Sequence, residues 1–173
     1  MAGESTTANT IMAWSKCDIK IVEEDPTGAF PSSGLTSIGT IKDRSSQLSS
    51  DAGEELEAKA TGGERVGYEQ QEGGFTLTTT VIEPTDELYA LLGLGTAGSG
   101  AFNVKTHVPG KYFAVEVTPK NKGAKGIKAP HCFISVAPGW GEDTGNEITL
   151  NIAILHGAGD YWYQRFTTTQ ALS

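Results

Sequence analysis

One segment constrains this chain more than any other: Phe75 to Ile82, FTLTTTVI, entered through Gly73-Gly74 and stopped by Pro84. Phe75, Leu77, Thr79 and Val81 fall on one side of an extended chain and Thr76, Thr78 and Thr80 on the other. Five of those positions are Thr or Val, whose branched Cβ suits a pleated surface and crowds a helix. A strand with one apolar and one hydroxyl face must bury the first and hydrate the second, so it needs a sheet around it.

The same period recurs along the chain. Ser15–Glu23 alternates, with Cys17, Ile19 and Ile21 on one face. A turn-rich stretch with two prolines follows, then a short strand over 36–42. Glu54–Thr61 and Arg65–Gln71 form two arms around Gly62-Gly63, with Leu56, Val66 and Tyr68 inward and Glu55, Glu57 and Glu69 on the opposite parity. Phe102–Val108 and Tyr112–Thr118 read as a hairpin around Pro109-Gly110. Cys132–Ala137, Ile148–Leu155 and Tyr161–Thr168 complete the set. Between them lie expected loops: a mobile one at Asp43–Gly53, a loose connection at Gly95–Gly100, and a lysine-bearing loop at Pro119–Pro130. Residues 1–12 read as a flexible polar arm, and 13–173 as a single domain. With 22 Gly in 173 residues and no Gly-X-Y period, short strands and tight turns are favoured over helices.

A single helix is predicted, over Thr85–Leu92. Thr85 is placed to cap it, Asp86 and Glu87 sit in its first turn, and Gly93 ends it. Leu88, Leu91 and Leu92 form its apolar stripe. At about two turns it cannot stand alone and must pack on a sheet. The fold class is mainly β: a β-sandwich or barrel of about eight strands with one short flanking helix.

Charge limits function. The net charge is −8, and a chain this acidic lacks the basic field that phosphate binding needs. The charge is also polarised: residues 1–100 carry 16 acidic and 6 basic side chains, residues 101–173 carry 5 and 7. That asymmetry suits a subunit that stacks head to tail on its own copies. Lys120, Lys122, Lys125 and Lys128 are the one basic cluster. With no Arg and no interleaved aromatic ring in it, a nucleic-acid site is disfavoured; the readings are a solvated loop or a contact with an acidic neighbouring copy.

Candidate chemistry is sparse. Gly93 to Gly98 matches G-x-G-x-x-G, but it follows a helix where a dinucleotide fingerprint must open one. His107, His131 and His156 have no ligand partner at metal spacing, and no nucleophile elbow occurs. His156 and Asp160 can be imagined as a base and its orienter, but a polar loop explains them better. Cys17 and Cys132 each sit in an alternating segment and read as buried free thiols. No catalytic residue, cofactor site or metal site is expected. The first residues have no basic, then apolar, leader pattern, and no apolar run approaches the ~20 residues of a membrane span. A cytoplasm-like compartment is expected.

At FTLTTTVIEPTDELYALLGLG the chain resembles the centre of phage tail tube proteins: a Gly-preceded Thr-rich strand followed at once by a short, acid-capped leucine helix ending in Gly. The flanks extend the resemblance over about residues 14–166, with an early strand, a polar loop and the Glu-rich hairpin GEELEAKATGGERVGYEQQEGG upstream, and strand pairs with an aromatic end downstream. The resemblance implies a β-sandwich subunit of which six copies form a ring. Rings stack into a hollow tube in the virion tail, assembled in the bacterial host cytoplasm, through which DNA leaves without being held. Its partners would be itself and other tail proteins, with no membrane. Parity then gives a lumen of Thr76, Thr78 and Thr80 with rings of Glu55, Glu57 and Glu69, and charge complementarity with the acidic first half of a neighbouring copy assigns Lys120, Lys122, Lys125 and Lys128 to contacts between rings. The alternative is a carbohydrate-binding or virion decoration β-sandwich module, with Trp14, Trp140 and Trp162 as a stacking platform.

Overall fold

The computed structural model describes residues 16–105, 110–170 and 172. Its strands are β1 (Cys17–Glu23), β2 (Thr36–Ser37), β3 (Gln47–Asp51), β4 (Glu55–Lys59), β5 (Arg65–Gln70), β6 (Gly74–Ile82), β7 (Gly95–Gly98), β8 (Ala101–Val104), β9 (Tyr112–Pro119), β10 (Lys125–Gly141), β11 (Gly145–Ile154) and β12 (Gln164–Thr167), with one helix, α1 (Asp86–Leu91), after β6. Eight strands form one antiparallel sheet in the order β2-β1-β9-β10-β11-β6-β3, with β12 also on β10. β4–β5 and β7–β8 are separate two-stranded hairpins.

The sheet bends because of β10. Its first residues, Lys125–Lys128, lie between β9 and β12, while Cys132 onward pairs with β11. The register slips between Ala129 and Cys132. Pro130 sits in that bulge, where a missing N–H costs no ladder bond. The two halves close over a common core: Ile19, Ile21 and Val115 from one face Leu77, Val81, Leu150 and Ile152 from the other, all buried. The result is sandwich-like and is not a closed barrel. Among the described residues no helix is long and apolar enough to cross a membrane.

The stretch 36–42 is more than the short strand expected. It divides its hydrogen bonds between the two ends of the sheet. Ile38 N–H donates to Ile19 of β1, whereas Lys42 N–H donates to Thr80 of β6 and Ile82 N–H to Thr40. Gly39, at φ +104°, makes the kink between the two pairings, a conformation that side-chain-bearing residues rarely adopt.

α1 is built as its sequence suggests. The Thr85 side chain accepts a hydrogen bond from the Leu88 N–H at 3.3 Å, and Gly93 follows at φ +75°. Leu88 and Leu92 are buried in the core and Leu91 packs at its margin.

Four local expectations are corrected. Asp43–Gly53 is not loop throughout, since Gln47–Asp51 is a strand paired with β6. Gly95–Gly100 is not a loose connection: β7 and β8 pair across it. Phe102–Val108 is not the partner of Tyr112–Thr118; β9 pairs with β1 and β10 instead, and residues 106–109 of that expected hairpin lie outside the described residues. The lysine-bearing loop ends at Ala124, because Lys125–Pro130 already belongs to β10. Except for the local β7–β8 hairpin, the hydrogen bonds come at least in part from a neighbour distant in sequence, which local composition does not reveal.

Candidate assembly surfaces

The β4–β5 hairpin leaves the body at Asp51 and Gly74, the last ladder pair of β3 and β6. Nearly all its side chains are exposed, and neither strand packs extensively on another element. It nevertheless carries apolar groups in water: Leu56 is 47% exposed, Val66 64% and Tyr68 53%. Glu57 accepts from Arg65, the Arg65 guanidinium lies 5.2 Å from the centre of the Tyr68 ring, and Glu55 bonds to Tyr68, which raises the phenol pKa. Register decides which carboxylates share a face. Glu55 lies across from Gln70 and Glu57 from Tyr68, but Glu69 lies across from Leu56. Directly paired residues point to the same side, so Glu55 and Glu57 occupy one face and Glu69 the other. The three cannot line one surface together. The parity along each strand was right; the relation between the strands was not available from it.

Thr76, Thr78 and Thr80 do share a surface. They lie on the outer face of β6, alternating with buried Leu77, Thr79 and Val81. Across the ladder, Thr78 stands between Gln47 and Asn151, and Thr76 between Ser49 and Ala153. Thr80 faces Thr149, hydroxyl to hydroxyl at 3.2 Å, and Thr78 donates to Asn151 at 3.3 Å. On β10, Ser135 pairs with Asn151 and continues the row. The four strands thus present mainly hydroxyls, amides and small side chains, with one exposed ring, Phe133 of β10, across from Ala153. Charge comes only at the ends: Asp51 at one, and Glu147, held by Lys42 at 2.9 Å, at the other. The buried Thr79 is satisfied by Ser46 at 2.9 Å.

The four lysines divide. Lys120 and Lys122 are exposed on the turn before β10, and Lys125 donates to Thr167 at 2.6 Å. Lys128 is half-buried, 3.6 Å from Glu116 and under the rings of Phe30 and Phe166 at 5.4 and 4.9 Å. Those rings are far from Lys128 along the chain, so local spacing around it does not reveal them. Lys128 is a packed member of the body rather than a free surface charge.

The remaining candidates are dispersed. Gly93 to Gly98 runs from the end of α1 into a strand, which leaves no helix N-terminus for a pyrophosphate. His156 does reach Asp160, at 3.2 Å, on an exposed loop beside Trp162. His131 bonds to Glu24 and stacks against Tyr112 at 4.6 Å. No group of three or more metal-ligating side chains occurs among the described residues. Cys17 and Cys132 are both free; burial pushes the Cys132 thiol up to about 12, with nearby Glu24 adding to it, and raises Cys17 as well. Trp140, 72% exposed, sits across from Asn146, while Trp162 packs on Phe75 at the other end of β11. These two do not form a platform, and Trp14 and His107 lie outside the described residues.

No protein-family model matches the chain, and no curated protein matches it. Among solved structures it is similar to a chain described as "Tail of empty GTA particle computed with helical refinement, C6 symmetry". The two are 15% identical with a TM-score of 0.45, over 88% of this chain and 95% of that one.

Proposed function

We propose that this chain is a structural, non-enzymatic subunit that assembles with its own copies into stacked rings, forming the hollow tube of a phage tail. The observation that carries the proposal is the β4–β5 hairpin. An isolated two-stranded hairpin is marginal in water, and this one also exposes Leu56, Val66 and Tyr68. Such an element is stabilised when it is covered by another subunit. Among the described residues β3 ends the sheet, and its outer edge at the hairpin's root can pair with a neighbour in the same way. The sequence resemblance around Phe75–Gly95 supports tail tube as the kind of assembly.

In this reading DNA passes the outer face of β3, β6, β11 and β10. That face is hydrated, hydroxyl-rich and almost uncharged, so phosphates find neither cations to bind nor strong repulsion. The lumen assignment of Thr76, Thr78 and Thr80 is retained; Glu55, Glu57 and Glu69 are reassigned to the contacts between subunits. Ring size, other tail proteins as partners, and the virion tail as location belong to the same proposal. The test is sedimentation and negative-stain microscopy at tens of micromolar. Rings or tubes are the expected result. A monomer at every concentration and salt tried would refute the proposal.

A further inference from the structure

The two halves of the sheet leave an open cleft between β3 and the start of β10. Half-buried Leu48, Val117 and Ile127 form an apolar floor with Arg44, Lys125 and Asp43 on its rim, and an adjoining hollow past Cys17 and Ser46 adds Lys16 and Lys42 with Asp18. Arg44 is 92% exposed, 3.7 Å from the equally exposed Asp43, and held at φ +56° on the turn before β3, and Lys120 follows β9 beside the Lys16 backbone. A cleft with an apolar floor and a mostly cationic rim fits an acidic guest that carries apolar side chains.

The chain itself has one such element. Glu54 to Glu72 contains six acidic and two basic residues, and both bases, Lys59 and Arg65, are already paired with Glu57. Glu54, Glu55, Glu64, Glu69 and Glu72 keep their charge outward around Leu56, Val66 and Tyr68. We propose that the β4–β5 hairpin of one copy docks in the Lys16–Arg44–Lys125 cleft of the next. The inference names the contact behind the self-assembly proposed above and rests on it. Such a contact is heterologous: cleft and hairpin are different surfaces, so each copy offers one and uses the other, and the association propagates. Burying Leu56, Val66 or Tyr68 against Leu48, Val117 and Ile127 supplies the affinity, and the opposed charges set the partner and orientation.

Charge exchange tests it. Glu55→Lys, Glu64→Lys and Glu69→Lys together take the hairpin from a net −4 to +2, and Arg44→Glu with Lys125→Glu reverses the cleft. Each of these two variants alone should need at least about tenfold more protein for half-assembly than the native chain, in sedimentation at low salt. An equimolar mixture of the two should recover assembly, because each reversed hairpin then meets a cleft of opposite sign. The variant that combines all five changes should recover it alone. Circular dichroism on each variant separates loss of contact from loss of fold, and a substitution that prevents folding is replaced by Glu54→Lys or Lys120→Glu. Native-like assembly of either the hairpin or the cleft variant would overturn the docking while leaving self-assembly standing, and so would absence of recovery in both the mixture and the combined variant. Absence of assembly in the native chain itself would sink both proposals.

Discussion

Leu88 joins the helix to the sheet. It is 3% exposed within the main core, and its N–H is the one that Thr85 caps. Leu88→Ala should cost about 2–5 kcal/mol in urea unfolding, since a cavity would open in a site with little room to collapse; a cost below about 0.5 kcal/mol would show that α1 is not anchored there. Cys132 gives a pH signature. Its ordinary thiol pKa is 9.0 and burial raises it to about 12. The folded state therefore holds the proton where the unfolded chain has released it. Stability should be unaffected by this group below pH 9 and should fall as pH rises from about 9 to 12. Urea midpoints of the native chain and Cys132→Ala, compared at pH 8 and 10.5, check it: the alanine variant should lose less stability over that interval. These residue-level features were legible in the sequence because each rests on local spacing, as in Thr85-x-x-Leu88, or on a simple alternation, as in Cys132–Ile134. Lys128 was not legible: what fixes it is Phe30, Phe166 and Glu116, three side chains from three separate parts of the chain.

Elements with both faces specified by sequence were found where their pattern places them: β1 by Ile19 and Ile21, β6 by its Thr and apolar rows, β11 by Ile148, Leu150, Ile152 and Ile154. β3 was missed for a physical reason. In QLSSD only Leu48 turns to the core, and the rest is polar because the strand is at an edge with its outer face in water. The start of β10 was missed because Lys, Gly and Pro dominate it, and its extended form is imposed by β9 and β12 on either side. The β4–β5 hairpin was read as paired arms, but its separateness from the sheet was not readable. That separateness makes a prediction. Replacing residues 54–71 by a short Asn-Gly turn should change body stability by under about 1 kcal/mol, because few contacts with the body are lost. The same deletion should abolish assembly in sedimentation. A large loss of stability would mean that the hairpin supports its own subunit instead.

For the whole molecule, the unusual quantity is the near absence of charge across the outer face of β3, β6, β11 and β10 on a chain of net charge −8. If that face borders the DNA path, making it cationic should be tolerated by the fold and felt by DNA. Thr78→Lys with Asn151→Lys should leave assembly in place and cause the tubes to retain DNA at low salt, with retention fading as salt rises. Tubes that ignore DNA in both forms would place this face elsewhere.

The long strand β10 has a bearing on how the subunit fails. Its first part is laddered to β9 and β12, its last part to β11, and the same backbone runs through both. Strain applied to one half is therefore transmitted directly to the other, and neither half can detach as an independent melting unit. Loss of the subunit should be all-or-none, with a single calorimetric transition. In the conduit of many copies proposed above, such a part would be either intact or absent, and partly softened subunits that could narrow the passage would not accumulate.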